Sequence, residues 1–180
     1  MPTDTHIAAT ALQPGDALLV SGAMGDHHAA ILSARMGMDN TVQSDCAPLG
    51  NMVAALLQEG VDVHTLRDIT RGGLGTVLCE LAEAANCGIE IDETAIPVHE
   101  DVRAFAHILG LELLHMGNEG KLLAAVPAPR ALELLRASRY GAEAAVIGTV
   151  TNGEGVVALT PIGGKRRVSV LYGEGLPRIC

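Results

Sequence analysis

The stretch Arg67-Asp68-Ile69-Thr70-Arg71-Gly72-Gly73 joins a short apolar run to a helical pattern. Its two glycines let the backbone approach an anion closely, and N–H groups at the start of a helix point toward such an anion. Arg67 and Arg71 carry guanidinium forks that suit phosphate oxygens, whereas Asp68 repels phosphate unless it orients an arginine or helps to hold Mg²⁺. Thr70 adds a hydroxyl. Because the Gly-Lys-Ser/Thr ending of a P-loop is missing, two interpretations stay open: a phosphate site and an ordinary strand-to-helix turn.

Strand and helix patterns alternate before and after this stretch, and strands with tight turns fill the last part of the chain. Apolar spacing predicts strands at residues 17–21, 61–66, 88–91, 111–116, 121–126, 144–150, 155–160 and 167–172. It predicts helices at residues 26–36, 49–59, 74–86, 97–109 and 129–139. We therefore expect an α+β fold with a mixed β-sheet flanked by helices. The predicted division is a loose lead-in (1–13), one domain (14–172) and a flexible tail (173–180).

Composition excludes several classes of function. The chain has 180 residues, of which 48% are hydrophobic and 2% aromatic, so we expect an aliphatic core and no base-stacking surface. A net charge of −9 repels nucleic acid and anionic membranes. No apolar run reaches the length of a membrane span, and residues 1–5 lack the layout of a signal peptide, so we expect a cytoplasmic protein. The four cysteines form no Cys-x-x-Cys pair, and no metal site or disulfide is expected.

A second candidate stretch, Gly117-Asn118-Glu119-Gly120-Lys121, lies between two predicted strands. A carboxylate between glycines in a tight turn is well placed to act as a general base. The same pattern also describes a solvated hairpin tip. Both interpretations stay open at Glu119.

A third stretch, Gly25-Asp26-His27-His28, begins a predicted helix. Asp26 is expected to be its N-cap. His27 is a candidate proton shuttle near neutral pH. Cys46 is not expected to be a nucleophile, because the neighbouring carboxylate of Asp45 disfavours a thiolate.

The sequence closes on Gly173-Glu174-Gly175-Leu176-Pro177-Arg178-Ile179-Cys180. If uncoiled, this segment reaches up to ~30 Å from the last predicted strand. It is expected to be a mobile arm that carries one thiol. The alternative is a frayed terminus that happens to end in cysteine.

These motifs, in this order, resemble the HypE family of hydrogenase maturation factors. The matching stretches are Val-Ser-Gly (20–22) with Gly-Asp-His (25–27), Ser-Asp-Cys-Ala-Pro-Leu (44–49), Arg-Asp-Ile-Thr-Arg-Gly-Gly (67–73), Asn-Glu-Gly-Lys-Leu (118–122) and Pro-Arg-Ile-Cys (177–180). The third is shared with the wider family of aminoimidazole ribonucleotide and selenophosphate synthetases. The Asn-Glu-Gly-Lys stretch together with the final Pro-Arg-Ile-Cys is much more specific. The resemblance runs from about Leu12 onward and implies the fold of the C-terminal half of that superfamily.

The resemblance also implies an ATP-dependent carbamoyl dehydratase. In that case Cys180 carries the carbamoyl group, and Glu119 is the base that removes an amide proton. The residues implied near the phosphates of ATP are Arg67, Asp68, Thr70, Arg71, Gly72 and Gly73. Supporting residues are Asp26, His27, Asn118 and Lys121. One departure from the family is His28, which stands where a glycine is common.

The partners implied by the resemblance are a HypF-type carbamoyltransferase, the HypC–HypD complex and a second copy in a homodimer. The family has a preceding half that mainly binds ATP and Mg²⁺, and this sequence does not contain it. We therefore expect the chain alone to be inactive. Two alternatives stay open: a carrier or docking module that only presents Cys180, and another synthetase of the superfamily that acts on a free substrate.

Overall fold

The computed structural model describes residues 6–39, 41–127 and 130–171. Its strands are β1 (Ala17–Val20), β2 (Thr65–Asp68), β3 (Gly88–Asp92), β4 (Leu122–Val126), β5 (Ala145–Thr151), β6 (Gly155–Leu159) and β7 (Lys165–Val168). Its α-helices are α1 (Asp26–Met36), α2 (Gly50–Gln58), α3 (Gly73–Ala85), α4 (Glu100–Leu109) and α5 (Arg130–Ala137). Short 3-10 helices span Ala9–Ala11, Glu93–Ala95 and Leu113–His115.

The seven strands form one sheet in the order β2-β4-β1-β5-β3-β6-β7. Neighbouring strands are antiparallel except for β3 and β6, which are parallel. The prediction of a mixed sheet flanked by helices is confirmed.

Helices cover both faces of this sheet, and β4 shows it most clearly. All five β4 residues are buried, and they alternate between two apolar clusters. Leu123 and Ala125 pack in the cluster that contains the apolar face of α3, whereas the other three β4 residues pack with α2 and α5. A strand buried on both faces needs apolar side chains on both, and β4 supplies them as Leu-Leu-Ala-Ala-Val.

The strand predicted at residues 111–116 is wrong. Residues Leu113–His115 form a 3-10 helix, and the buried His115 ring donates from Nε2 to the carbonyl of Ser169 at 3.0 Å. The start of α3 also approaches this segment so closely that a Cβ on Gly73 would lie 2.6 Å from the Leu114 carbonyl oxygen. Gly117–Gly120 is therefore not a hairpin tip.

Three further predictions need correction. β2 starts at Thr65 rather than residue 61, because its hydrogen-bonded register with β4 runs from Thr65 to Asp68. β7 covers Lys165–Val168 rather than residues 167–172, because its hydrogen-bonded register with β6 runs from Lys165 to Val168. The lead-in is not loose where it is described: the 3-10 helix packs near α3 and β2, and Leu12 is buried in the core.

The topology brings several loops to one end of the sheet. Val20, near the end of β1, pairs with Leu123, and Asp68 at the end of β2 pairs with Leu122. Both strands therefore end where β4 begins. None of the described helices is long and apolar enough to cross a membrane.

Candidate functional site

The candidate site is built where β4 begins. The segment 117–121 leads into β4, and the segments that follow β1 and β2 meet it there. The Ile69 N–H donates to the carbonyl of Lys121 at 3.0 Å, and the Ser21 N–H donates to that of Leu122 at 3.0 Å. The stretches at 67–73 and 117–121 and the segment that follows β1 are thereby brought together at one end of the sheet.

The loop at residues 44–47 joins this group through a close backbone contact with Gly120. A Cβ on Gly120 would overlap the carbonyl oxygen of Asp45 and lie 2.7 Å from the Ala47 nitrogen. In the same contact, Asp45 Oδ1 accepts a hydrogen bond from the Glu119 N–H at 2.9 Å. The backbone of Glu119 is therefore fixed on both sides, and the Glu119 side chain is half-buried.

Asn118 ties the same loop to the start of α1. It is 1% exposed, and its Oδ1 accepts from the Gly25 N–H at 2.8 Å. Its Nδ2 donates to the Met116 carbonyl at 3.2 Å. A buried amide must have partners on both its oxygen and its nitrogen, and Asn118 has both.

His28 adds a second link between α1 and this loop. It is buried, its N–H donates to the Gly117 carbonyl at 3.2 Å, and its Nδ1 accepts from the Gly117 N–H at 3.2 Å. Burial, helped by the nearby His27, lowers the pKa of the His28 ring. The neutral ring is thus the form that can accept this hydrogen bond. A glycine at position 28 could not make it, so His28 adds a side-chain contact to Gly117.

Asp26 and His27 occupy the first turn of α1, but Asp26 is not the N-cap. The N-cap is Gly25, which has a positive φ of 93°, and it makes no side-chain capping bond. The Asp26 carboxylate is buried and instead lies 2.9 Å from His99 Nδ1. His27 Nδ1 lies 2.8 Å from Ser44 Oγ, which also accepts from the Cys46 N–H at 3.2 Å.

The charge of Lys121 acts on two carboxylates, that of Asp26 and that of Asp45. Burial raises the pKa of Asp26 and of Asp45, and in both cases the charge of Lys121 acts in the opposite direction. The Lys121 side chain lies over Gly22, with Nζ 3.0 Å from the position that a Cβ would take there. The absence of a side chain at Gly22 thus leaves room for this lysine.

The predicted phosphate loop is only partly suited to an anion. Gly72 has a φ of 79° and precedes the first residue of α3, as a glycine turn at a helix start should. Arg67, however, pairs with Glu80 at 3.0 Å, and Asp68 accepts from the Thr70 hydroxyl at 3.3 Å. Arg71 is exposed at this turn. Of the two arginines of this loop, Arg67 is therefore paired within the chain and Arg71 lies at the surface.

Cys180 and the rest of the predicted tail lie outside the described residues. A separate cavity of about 270 Å³ opens between Met24, Val98, Leu114 and Arg166, and none of the predicted site residues lines it.

Comparison with known proteins now identifies the family. Residues 13–160 match the family described as AIR synthase related protein, C-terminal domain. The chain belongs to this family. It is also 47% identical over 187 residues to carbamoyl dehydratase HypE of Azotobacter vinelandii, an alignment that covers 100% of this chain and 55% of that protein.

Solved HypE structures have the same fold as this domain. One, described as hydrogenase maturation protein HypE in complex with ATP, matches with a TM-score of 0.92 and 43% identity over 97% of this chain and 55% of the other. A HypE–HypF complex matches with a TM-score of 0.88 and 36% identity over 92% of this chain and 56% of the other. The chain thus spans about half the length of the relatives that it matches.

Sequence analysis missed four of the residues that build the site. Asp45 and His28 hold the loop that carries Glu119, and His99 and Glu143 hold Asp26. Asp45 stood within a quoted motif, but its role depends on a contact across 74 positions of the sequence. The contacts of the other three also join distant parts of the chain, at separations of 44, 73 and 89 positions, and local sequence does not reveal them.

Substitution of Gly120 by alanine tests the close contact that holds Glu119. Because the added Cβ meets backbone rather than a flexible side chain, we expect Gly120→Ala to lower the free energy of unfolding by ~1–3 kcal/mol, as overpacking does. Urea unfolding followed by circular dichroism measures it, since the chain has no Trp.

The matched control is Gly50→Ala, where an added Cβ has no neighbour within 4 Å. We expect this change to stay within ~0.5 kcal/mol of the unsubstituted chain. Equal stability of the two variants would show that the Gly120 contact is not tight.

Proposed function

We propose that this chain is the C-terminal part of a HypE-type carbamoyl dehydratase that contributes to hydrogenase maturation. Cys180 carries a carbamoyl group as a thiocarbamate, and ATP and Glu119 convert that group to a thiocyanate, with the carbamoyl oxygen leaving on phosphate. The cyano group then serves as a ligand of the nickel–iron hydrogenase centre. The supporting observation is the construction around Glu119, whose backbone is held by Asp45 and flanked by Asn118 and Lys121.

The reaction needs two kinds of help that such a site supplies. An amide oxygen leaves poorly, and phosphorylation of that oxygen by ATP turns it into a good leaving group. Loss of phosphate then requires a base that takes the N–H protons. Glu119 is half-buried on a rigid loop, which is how a base is kept in position for such a transfer.

Phosphate recognition on this chain falls to two basic side chains. Arg71 is exposed at the turn before α3, and Lys121 directly follows the loop that carries Glu119. Arg67 is less suited, because Glu80 and Asp68 lie within 4 Å of its guanidinium. We propose that the remaining contacts to ATP and Mg²⁺ come from the part of the HypE relatives that this chain does not span.

Partners follow from the same proposal. A HypE relative has been solved in complex with HypF. We propose that a HypF-type carbamoyltransferase loads Cys180, that a HypC–HypD complex accepts the cyano group, and that the complete protein is a homodimer. A thiol at the end of a segment that contains Gly173 and Gly175 suits a carrier that visits successive sites.

Removal of the thiol tests the carrier role. In a protein that joins this chain to the remaining part of a HypE relative, we expect Cys180→Ala to abolish carbamoyl loading, because no other thiol lies on the tail. Intact-protein mass spectrometry after incubation with the carbamoyltransferase measures it, with Cys46→Ser as the matched control that still loads. Full loading of the Cys180→Ala protein would refute the carrier role.

Removal of the base tests Glu119 separately. In the same joined protein, we expect Glu119→Gln to load normally but to dehydrate at least ~100-fold more slowly, the usual loss for a missing general base. The measurement is the rate at which the loaded protein loses the mass of one water after addition of Mg-ATP. Dehydration at the normal rate would assign the base to another residue.

The competing function is a carrier or docking module without catalysis. It is favoured for this chain if loaded residues 1–180 lose no water after addition of Mg-ATP, whereas the loaded joined protein does. Another synthetase of the superfamily, acting on a free substrate, is favoured if activity persists after Cys180 is removed.

A further inference from the structure

His99 lies between two carboxylates from different parts of the fold. Its Nδ1 is 2.9 Å from Asp26 Oδ1, and its Nε2 is 3.0 Å from Glu143 Oε1. Asp26 is the first residue of α1, His99 directly precedes α4, and Glu143 lies just before β5. The ring thus connects three elements that are far apart in the sequence.

Counting hydrogens decides the state of this ring. A neutral imidazole carries one N–H, so it can donate to only one of the two carboxylates. The other nitrogen would then turn a lone pair toward a carboxylate oxygen. The arrangement is satisfied when the ring carries a proton on each nitrogen.

The charges around His99 agree with this count. Burial by itself disfavours the charged ring, but the hydrogen bonds and charges of Asp26 and Glu143 outweigh it and raise the pKa of His99 above its ordinary 6.5. The Asp26 side chain is 9% exposed, whereas those of His99 and Glu143 are 44% and 50% exposed. The hydrogen bond between His99 and Asp26 is therefore better shielded from solvent and salt than the one between His99 and Glu143.

We propose that the doubly protonated ring of His99 is a clamp that positions Asp26 and, through Asp26, sets the charge around Lys121 in the site. The proposal rests on the function proposed above, because Lys121 is one of the two cations assigned to phosphate there. It makes His99 a positioning residue, with Glu143 as the second arm of the clamp.

The link to Lys121 runs through the segment between β1 and α1. Lys121 Nζ lies over Gly22, four residues before Asp26, and the Gly25 N–H donates to Asn118 Oδ1. The charged groups that act on Asp26 are His99, Lys121 and Glu143, and Asp26 and Lys121 both act on Asp45. When His99 loses a proton, Asp26 loses its nearest cation and draws more strongly on Lys121. Less of the lysine charge is then available to an incoming phosphate.

The clamp depends on pH through the protonation of His99. Because folding raises the pKa of His99, the clamp is fully formed below its unfolded value near 6.5 and is lost as pH rises through the higher folded value. Site residues that depend on the clamp should respond to pH in that same interval.

The first test is an NMR pH titration of the chain of residues 1–180. We expect the His99 ring to titrate with a midpoint above 6.5, and the amides of Asp26 and Lys121 to follow the same midpoint. His27 and His28 are followed by their own ring signals, so that their titrations are not mistaken for that of His99.

Three variants make this test specific. We expect His99→Gln to remove the response of the Asp26 and Lys121 amides, and Glu143→Gln to shift the His99 midpoint downward. His107→Gln, which changes an exposed histidine of α4, should alter neither. A His99 midpoint at or below 6.5, or an unchanged amide response in His99→Gln, would overturn the clamp.

The second test measures the consequence for chemistry in the joined protein. We expect the dehydration rate to fall as pH rises through the His99 midpoint, and His99→Gln to flatten this pH profile while loading of Cys180 is unchanged. An identical profile in His99→Gln would refute the link between clamp and site. If the joined protein does not dehydrate at all, the proposed function fails, while the titration still decides the clamp.

Discussion

One tight contact organises the candidate site: the backbone of Gly120 lies directly against the backbone of residues 45–47. No side chain fits between the two segments, so glycine is required there. The contact brings Asp45 to the Glu119 N–H, while Asn118, on the other side of Glu119, is fixed to the start of α1. A carboxylate on an ordinary hairpin tip would move freely. Here Asp45 holds the Glu119 N–H and the start of α1 holds the neighbouring Asn118, and that support is what allows a general base to be proposed at Glu119.

The sequence predicted the fold class well because the sheet is patterned locally. Most strands and all five α-helices lie within a few residues of their predicted positions, since alternation and helical spacing are properties of neighbouring residues. The predictions that failed did so because contacts between distant residues decided the local structure. Residues 111–116 have the apolar alternation of a strand, but the buried His115 and the approach of Gly73 hold part of them in a 3-10 helix. Asp26 has the residue type of an N-cap, but its carboxylate pairs with His99, which lies 73 positions away in the sequence.

The same limit applied to the site. Glu119, Asn118, His27 and Lys121 were predicted as a set from motifs, and the structure brings their loops together at the start of β4. The two arginines of the predicted phosphate loop also differ in their surroundings. Arg67 forms an ion pair with Glu80 on α3, whereas Arg71 is exposed. In an acidic chain such local pairing affects where an anion can bind, because a cation that is paired with a carboxylate, such as Arg67, attracts an anion less strongly. His99 and Glu143 extend this charge network beyond the motifs, and only the folded chain reveals them.

The central claim is that the thiol of Cys180 works at the loop that carries Glu119. A nitroxide on Cys180 measures this most directly, in a Cys46→Ser chain, because Cys46 is exposed whereas burial raises the pKa of Cys79 and of Cys87 and makes both thiols less reactive. Paramagnetic broadening of amide signals then reports which surfaces the label visits. The account predicts stronger broadening at residues 118–121 than at α5, which lies on a face of the sheet and contributes nothing to the site. Equal or weaker broadening at 118–121 would contradict it.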